Sequence, residues 1–119
     1  MSGYRELNVW KESKGLAVRI YQITQSAVFG KDFGLRDQIR RAAVSVPSNI
    51  AEGDERGSNR DAVRFLYIAK GSLAELQTQL DIAFEIGYLK KEELTELFDK
   101  SMAIGKMLGS LIKARSKTF

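Results

Sequence analysis

The only proline of this chain, Pro47, lies inside a segment whose apolar residues keep helical spacing straight through it. The segment is GLRDQIRRAAVSVPSNIAEG, Gly34 to Gly53, and its apolar line is Leu35, Ile39, Ala42, Val46 and Ile50. A proline in a helix interior has no N–H to donate, and its ring crowds the carbonyl four residues back, here that of Ala43. The cost is about 3 kcal/mol. A break at Val46, with Pro47 opening a new helix, would avoid it. Against a break, the apolar line crosses the proline without a change of phase, and Val46 is a poor cap. The segment therefore reads as one continuous helix with a kink. Ala42, Ala43 and Ser45 are small, which leaves room for a neighbouring side chain to reach the freed Ala43 carbonyl.

Three further segments carry the same period. The first runs from Arg5 to Val28 through Leu7, Trp10, Leu16, Ala17, Ile20, Ile23 and Ala27. Gly30 and Gly34 bracket the connection to the proline-bearing helix, and Gly53 fits as that helix's stop. Ser58 then offers an N-cap with Asp61 three residues on. The third helix spans Asn59 to Ile86, with Ala62, Leu66, Ala69, Leu73, Leu76, Leu80 and Ala83 alternating by four and three in a coiled-coil-like seam. Gly87 ends it. Lys90 to Glu93 open the fourth helix, which continues to Lys113 through Leu94, Leu97, Phe98, Ile104, Leu108 and Leu111. No segment reads as a strand. Helices of roughly 30–40 Å, joined by short connections, predict an all-α, antiparallel up-down-up-down four-helix bundle with a Pro-kinked second helix. Without an internal repeat or linker, residues 1–119 read as a single domain.

Composition narrows the chemistry. The chain has no Cys and no His, so disulfides, thiolate metal sites and the commonest general base are absent. The N-terminus shows no signal-peptide pattern, and no apolar run approaches the roughly 20 residues that cross a bilayer. These features predict a cytoplasmic protein with no membrane association. A nucleophilic Ser lacks a His partner, and no context favours a Ser–Lys pair. Di-iron bundles need Glu-x-x-His, and Gly53 and Gly57 frame an acidic loop without the Lys-Ser/Thr sequel of a phosphate-binding loop. Glu52, Asp54 and Glu55 cluster, as solvated loop charges commonly do. The expectation is a protein that is not an enzyme and has no cofactor or metal.

Two polar patterns remain. Gln38, Arg41, Ser45, Asn49 and Glu52 share one face of the second helix, beside its apolar stripe. Ser72, Glu75 and Gln79 are likewise aligned on the third. Ser and Asn are poor helix formers for an exposed face. The two lines predict a partly buried network that fixes helix register, with Arg41 bonded to Glu75. Charge is the other pattern. The formal net charge is +4 and the pI about 9.4, and from Lys100 onward every charged residue is a cation. Arg36, Arg40, Lys106, Lys113, Arg115 and Lys117 are candidate phosphate contacts. Gly71, Gly105 and Gly109 lie within helices, and Val9, Val18, Tyr21, Phe65, Ile68, Ile82, Met102 and Met107 fall off the main stripes. These residues predict self-association.

LNVWKESKGLAVRIYQIT, GLRDQIRRAAVSVPSNIAEG and RFLYIAKGSLAELQTQL together carry a resemblance over nearly the whole chain. It resembles the bacterial four-helix-bundle family encoded by intervening sequences of ribosomal RNA genes. A related branch comprises accessory variability proteins of diversity-generating retroelements, which form basic pentameric barrels. What the resemblance implies is a homo-oligomer, with a pentamer favoured, and nucleic acid or a reverse transcriptase as partner. It does not imply a structural component of the ribosome. Two readings of function follow. One is an oligomer binding RNA or DNA through basic surfaces, by shape and charge more than by sequence. The alternative is a protein-interaction scaffold with no nucleic-acid role.

Overall fold

Capping groups and turn residues set several of the helix ends. The computed structural model describes residues 3–117 and Phe119. After a 3-10 turn at Tyr4–Glu6, the helices are α1 (Asn8–Ile23), α2 (Ala27–Lys31), α3 (Phe33–Glu55), α4 (Asn59–Glu85) and α5 (Lys91–Ser116), with no strand among the described residues. The long first helix expected over Arg5–Val28 is interrupted. The Thr24 hydroxyl donates to the Ile20 carbonyl at 2.7 Å, and the Thr24 N–H reaches the same oxygen at 2.9 Å. Threonine hydroxyls compete in this way with continued helix, and the chain turns before restarting as α2. The short α2 buries Phe29 completely, which closes one end of the core.

Asp32 caps α3 by accepting the Leu35 N–H at 3.1 Å. From there α3 runs through Pro47, which is buried, to Glu55. Gly53 is therefore not the stop that the sequence suggests. The left-handed backbone falls at Gly57 instead, with φ +83°. A Cβ at Gly53 would lie 2.6 Å from the Phe65 Cβ and 3.3 Å from the Ala62 carbonyl oxygen. Glycine is required there because α4 comes so close, and not for a turn. The other two expected signals hold. Ser58 accepts the Asp61 N–H at 3.1 Å, and Gly87 (φ +87°) ends α4. There the N–H of Tyr88 bonds Ala83 at 2.8 Å and that of Gly87 bonds Phe84 at 3.0 Å, the paired bonds of a Schellman motif. At the start of α5 the Glu93 carboxylate reaches back to the Lys90 N–H at 2.9 Å.

α3 packs against α4, α4 against α5, and α1 against both α3 and α5. Leu16, Ile20, Ile39, Val46, Ile50, Leu76, Leu80, Leu97, Ile104 and Leu108 fill the space between them. The molecule measures 46 × 21 × 19 Å, about one long helix from end to end. Polar clasps join elements distant in sequence. The Tyr88 hydroxyl donates to Asp32 at 2.9 Å, and this bond, ahead of burial, raises the tyrosine pKa. Arg19 of α1 forks onto Glu96 of α5, Nε to Oε2 at 2.7 Å and Nη2 to Oε1 at 3.1 Å. Of the off-stripe apolar residues, Val9 and Phe65 are buried and Met107 is half-buried, whereas Val18, Tyr21, Ile68, Ile82 and Met102 are exposed.

Two expected outcomes follow from these contacts. Gly53→Ala forces a methyl against Phe65 and Ala62, so it should destabilise the fold by about 1–3 kcal/mol. Gly15→Ala, on an open face of α1 where no atom lies within 4 Å, should instead stabilise by about 0.4–1 kcal/mol; urea unfolding of both variants measures the contrast. The second outcome concerns pH. The Arg19 hydrogen bond holds the Glu96 carboxyl below its ordinary value. A depressed folded pKa means that the unfolded chain takes up the proton first. The clasp's contribution is therefore present at neutral pH and lost as pH falls through and below the usual carboxylate range. Glu96→Gln should flatten the acid limb of a stability-against-pH curve.

Candidate nucleic-acid interface

The six cations singled out from the sequence do not form one surface. Arg36 bonds Asp37 at 3.0 Å and lies 4.8 Å from the Phe33 ring centroid. Arg40 donates to the Thr24 hydroxyl at 2.8 Å and stacks 4.4 Å over Tyr21. Both are engaged at the beginning of α3. Arg115 forms a half-buried ion pair with Asp54 at 3.0 Å, joining the end of α5 to the end of α3. It is thus a structural clasp. Lys106, Lys113 and Lys117 remain exposed. Arg36 and Asp54 are separated by about 27 Å along α3 at 1.5 Å per residue, so Arg36 and Arg40 lie at the opposite end from Lys113, Arg115 and Lys117, while Lys106 sits further back along α5 beside Leu7, Val9 and Met107.

At the Asp54 end the structure assembles a cationic group that the sequence reading missed. Arg56 and Arg64 each place a guanidinium 4.8 Å from the Phe65 centroid. Arg60, between them, lies 4.9 Å over Phe119. Arg56 pairs with Glu52 at 3.1 Å and Arg64 with Asp61 at 3.4 Å, but both arginines stay largely exposed. The Arg115–Asp54 clasp brings Lys113 and Lys117 to the same end. The start of α1 belongs there too, since Leu7 lines a narrow cleft with Ile50, Asp54, Leu66 and Arg115. Close by in sequence, Arg5 sits 5.6 Å from the Tyr4 and Trp10 rings, which meet edge to face. The available signal was the spacing of Arg56, Arg60 and Arg64 in steps of four across the turn. Reading residues 54–57 as an acidic loop concealed it.

Stacked arginines keep their outward N–H groups available while the aromatic face limits their rotamers. Guanidiniums held in this way suit phosphate oxygens, which accept paired N–H donors. Five carboxylates, Glu6, Glu52, Asp54, Glu55 and Asp61, share this end. Three of them are engaged by Arg56, Arg115 and Arg64, which leaves Arg60, Lys113 and Lys117 as the charges most open to an external anion.

The polar seam between α3 and α4 is formed in part. The Ser45 and Ser72 hydroxyls bond each other at 2.8 Å. Asn49 donates to the Ser45 carbonyl at 2.8 Å and to its hydroxyl at 2.9 Å. Gln79 is buried in α4, its side-chain carbonyl without a partner. Gln38 is exposed, and Glu52 faces Arg56. The expected Arg41–Glu75 bond is not made, and both side chains are exposed. In water the Coulomb gain of such a pair is too small to hold two long side chains in one geometry. A second polar link missed from sequence joins α4 to α5, where Gln77 donates to the buried Ser101 at 3.1 Å. No group of three or more acidic residues is placed to hold a metal ion, and no helix is long and apolar enough to cross a membrane, among the described residues.

These features define a small all-helical protein with an apolar core and side-chain clasps between its helices. The chain belongs to the 23S rRNA-intervening sequence protein family, whose model matches residues 5–110. It is similar to a protein of unknown function from the S23 ribosomal protein family of Bacteroides thetaiotaomicron VPI-5482, solved at 1.70 Å. That structure is 30% identical, with a TM-score of 0.80, and the match covers 88% of this chain and 98% of that one. No curated relative matches.

If Arg115 is a clasp, Arg115→Ala and Asp54→Ala should lower the urea midpoint to similar extents, and a double-mutant cycle should return a coupling of about 1 kcal/mol. Independent, additive losses would place Arg115 outside the structural framework.

Proposed function

We propose that this protein is a non-catalytic homo-oligomer of up-down-up-down four-helix bundles that associates with RNA or DNA through the basic end of each subunit. The pairings of Gly53 with Ala62 and of Ser45 with Ser72 step in opposite directions along α3 and α4, which supports antiparallel neighbours. Pro47 within α3 supports a kink at the residue that lacks a donor. Exposed Val18, Ile68, Ile82 and Met102 support self-association, and the pentamer suggested by the resemblance remains the favoured assembly. The same reading includes kinship with the retroelement accessory proteins and a cytoplasmic location.

One observation carries the nucleic-acid reading. Arg56, Arg60 and Arg64 are poised on aromatic rings at the end where the cation-only tail of α5 arrives. A ring of subunits would repeat this modest charge several times, raising avidity along a phosphate chain. Such contacts are sequence-tolerant and weaken steeply with salt.

The test is titration of single-stranded RNA and duplex DNA into nuclease-treated protein at two salt concentrations. Charge reversal at Arg60, Lys113 and Lys117 together should weaken binding roughly tenfold or more at low salt and reduce the salt slope. Reversal at Lys31 and Lys91, exposed at the opposite end, should leave it within about twofold. A confirmed oligomer with no salt-sensitive binding would favour the second reading, a protein scaffold with a reverse transcriptase among its partners. That reading is favoured by an open apolar groove of about 430 Å³ lined by Leu7, Val9, Met107, Leu111 and Ala114 between the start of α1 and the end of α5.

A further inference from the structure

The basic end carries aromatic rings that packing within the chain leaves uncovered. On α4, Arg60, Arg64, Tyr67 and Lys70 follow one another at steps of four, three and three, and all are exposed. Tyr67 remains 56% exposed, and it makes no side-chain hydrogen bond or ring contact among the described residues. Phe119, under the Arg60 guanidinium, is 53% exposed. Tyr4 and Trp10 meet edge to face at 5.2 Å and stay half-buried. Arg5 lies 5.6 Å from both of their centroids, and Lys14 lies 4.8 Å from that of Trp10. The 3-10 turn that holds Tyr4 packs against α3, so this pair borders the same end. Rings and cations thus alternate from α1, past the end of α3, to α4.

Attraction for phosphate alone does not call for such a surface. Phosphates need cations, and the carboxylates at this end offset much of the charge there. A duplex keeps the faces of its bases inside its own stack, and it is stiff over about 50 nm. Against an end only 21 × 19 Å across, it can touch cations along one line and lay no base on a ring. An unpaired strand presents free base faces as well as phosphates, and it bends around the end of a bundle. Each base stacked on an aromatic side chain gains about fivefold or more in affinity, whichever base it is. Guanidinium planes stack on bases too.

We propose that the basic end selects single-stranded nucleic acid, with bases stacked on Tyr67 and on the Tyr4–Trp10 pair and phosphates held by Arg5, Arg60 and Arg64. The proposal rests on the nucleic-acid reading above and names the form of nucleic acid that the site takes: unpaired strand over duplex, with little regard to sequence. The opposite end supplies a comparison within the molecule. Phe33 is 62% exposed there, with Arg36 4.8 Å from its centroid. The Arg36 side chain is bound to Asp37 and only 23% exposed, against 59% for Arg64. A ring at that end therefore lacks an open cation to hold the adjoining phosphate.

Three probes of equal length separate stacking from charge: single-stranded oligothymidylate, its duplex with oligoadenylate, and a strand with the same phosphates and no bases. Trp10 is the only tryptophan, so its emission reports contact at that pair directly. Oligothymidylate should bind the full chain roughly tenfold or more tightly than either other probe and quench Trp10, whereas the abasic strand should leave the emission unchanged. With circular dichroism confirming helix content, Tyr67→Ala should lose about fivefold or more on oligothymidylate and stay within about twofold on the abasic strand. Tyr67→Trp should restore binding, and Phe33→Ala should bind as the unaltered chain does. Equal affinity for the three probes, or an equal loss of Tyr67→Ala on both single strands, overturns the stacking site and leaves binding by charge intact. Absence of salt-sensitive binding to every probe overturns the stacking site and the nucleic-acid reading together.

Discussion

The close approach of α3 to α4 governs the position of every other element. At Gly53 the α3 backbone comes within 3.3 Å, measured from an added Cβ, of the α4 carbonyl at Ala62. Two turns further into the pair, the short side chains of Ser45 and Ser72 meet at 2.8 Å. Small residues at these points allow two helices of 23 and 27 residues to lie against each other along much of their length. With that pair fixed, α1 and α5 complete the bundle from the other side. Their polar clasps, Arg19–Glu96 and Arg115–Asp54, then hold the outer helices in register. The polar seam also explains why α3 carries Ser and Asn where a surface helix would carry Lys and Glu. Their hydroxyls and amide satisfy one another at a contact too narrow for longer side chains.

The same constraint separates the molecule into surfaces with different chemistry. Gly57 turns the chain immediately after Gly53, so the arginines on both sides of the turn converge beside the α5 tail. At the opposite end, Arg36 and Arg40 are drawn into contacts with Asp37, Phe33, Thr24 and Tyr21 that stabilise the junction of α1, α2 and α3. Between the ends, the outward side of the α3–α4 pair keeps its isoleucines, its unbonded Arg41 and Glu75, and Gly71.

Much of this was legible in the sequence for physical reasons that can be named. The period of apolar residues set the four long helices, and Ser58 and Gly87 marked ends because their local hydrogen bonds are nearly independent of the rest of the fold. Ser45, Asn49 and Ser72 were recognisable as a seam because their types are wrong for an exposed helix. Three features depend on tertiary contact and were not legible. Thr24 breaks the first helix through a hydroxyl bond to Ile20, a choice supported by Arg40 from another helix. Gly53 resembles a stop until the proximity of Phe65 is known. The basic end exists only after folding places Arg56, Arg60 and Arg64 beside Lys113 and Lys117, and Arg115, one of the six candidates by sequence, is diverted to Asp54.

The proline-bearing helix is a packing device in which Ser45, held by Asn49, makes the polar contact with α4. A double-mutant cycle on Ser45→Ala and Ser72→Ala, followed by urea unfolding, tests it most directly. A hydroxyl pair shared across the seam predicts single losses of about 1 kcal/mol each and a coupling of roughly 0.5–1.5 kcal/mol. Additive effects with no coupling would contradict the account, because the two serines would then not be held together by the approach of α3 to α4.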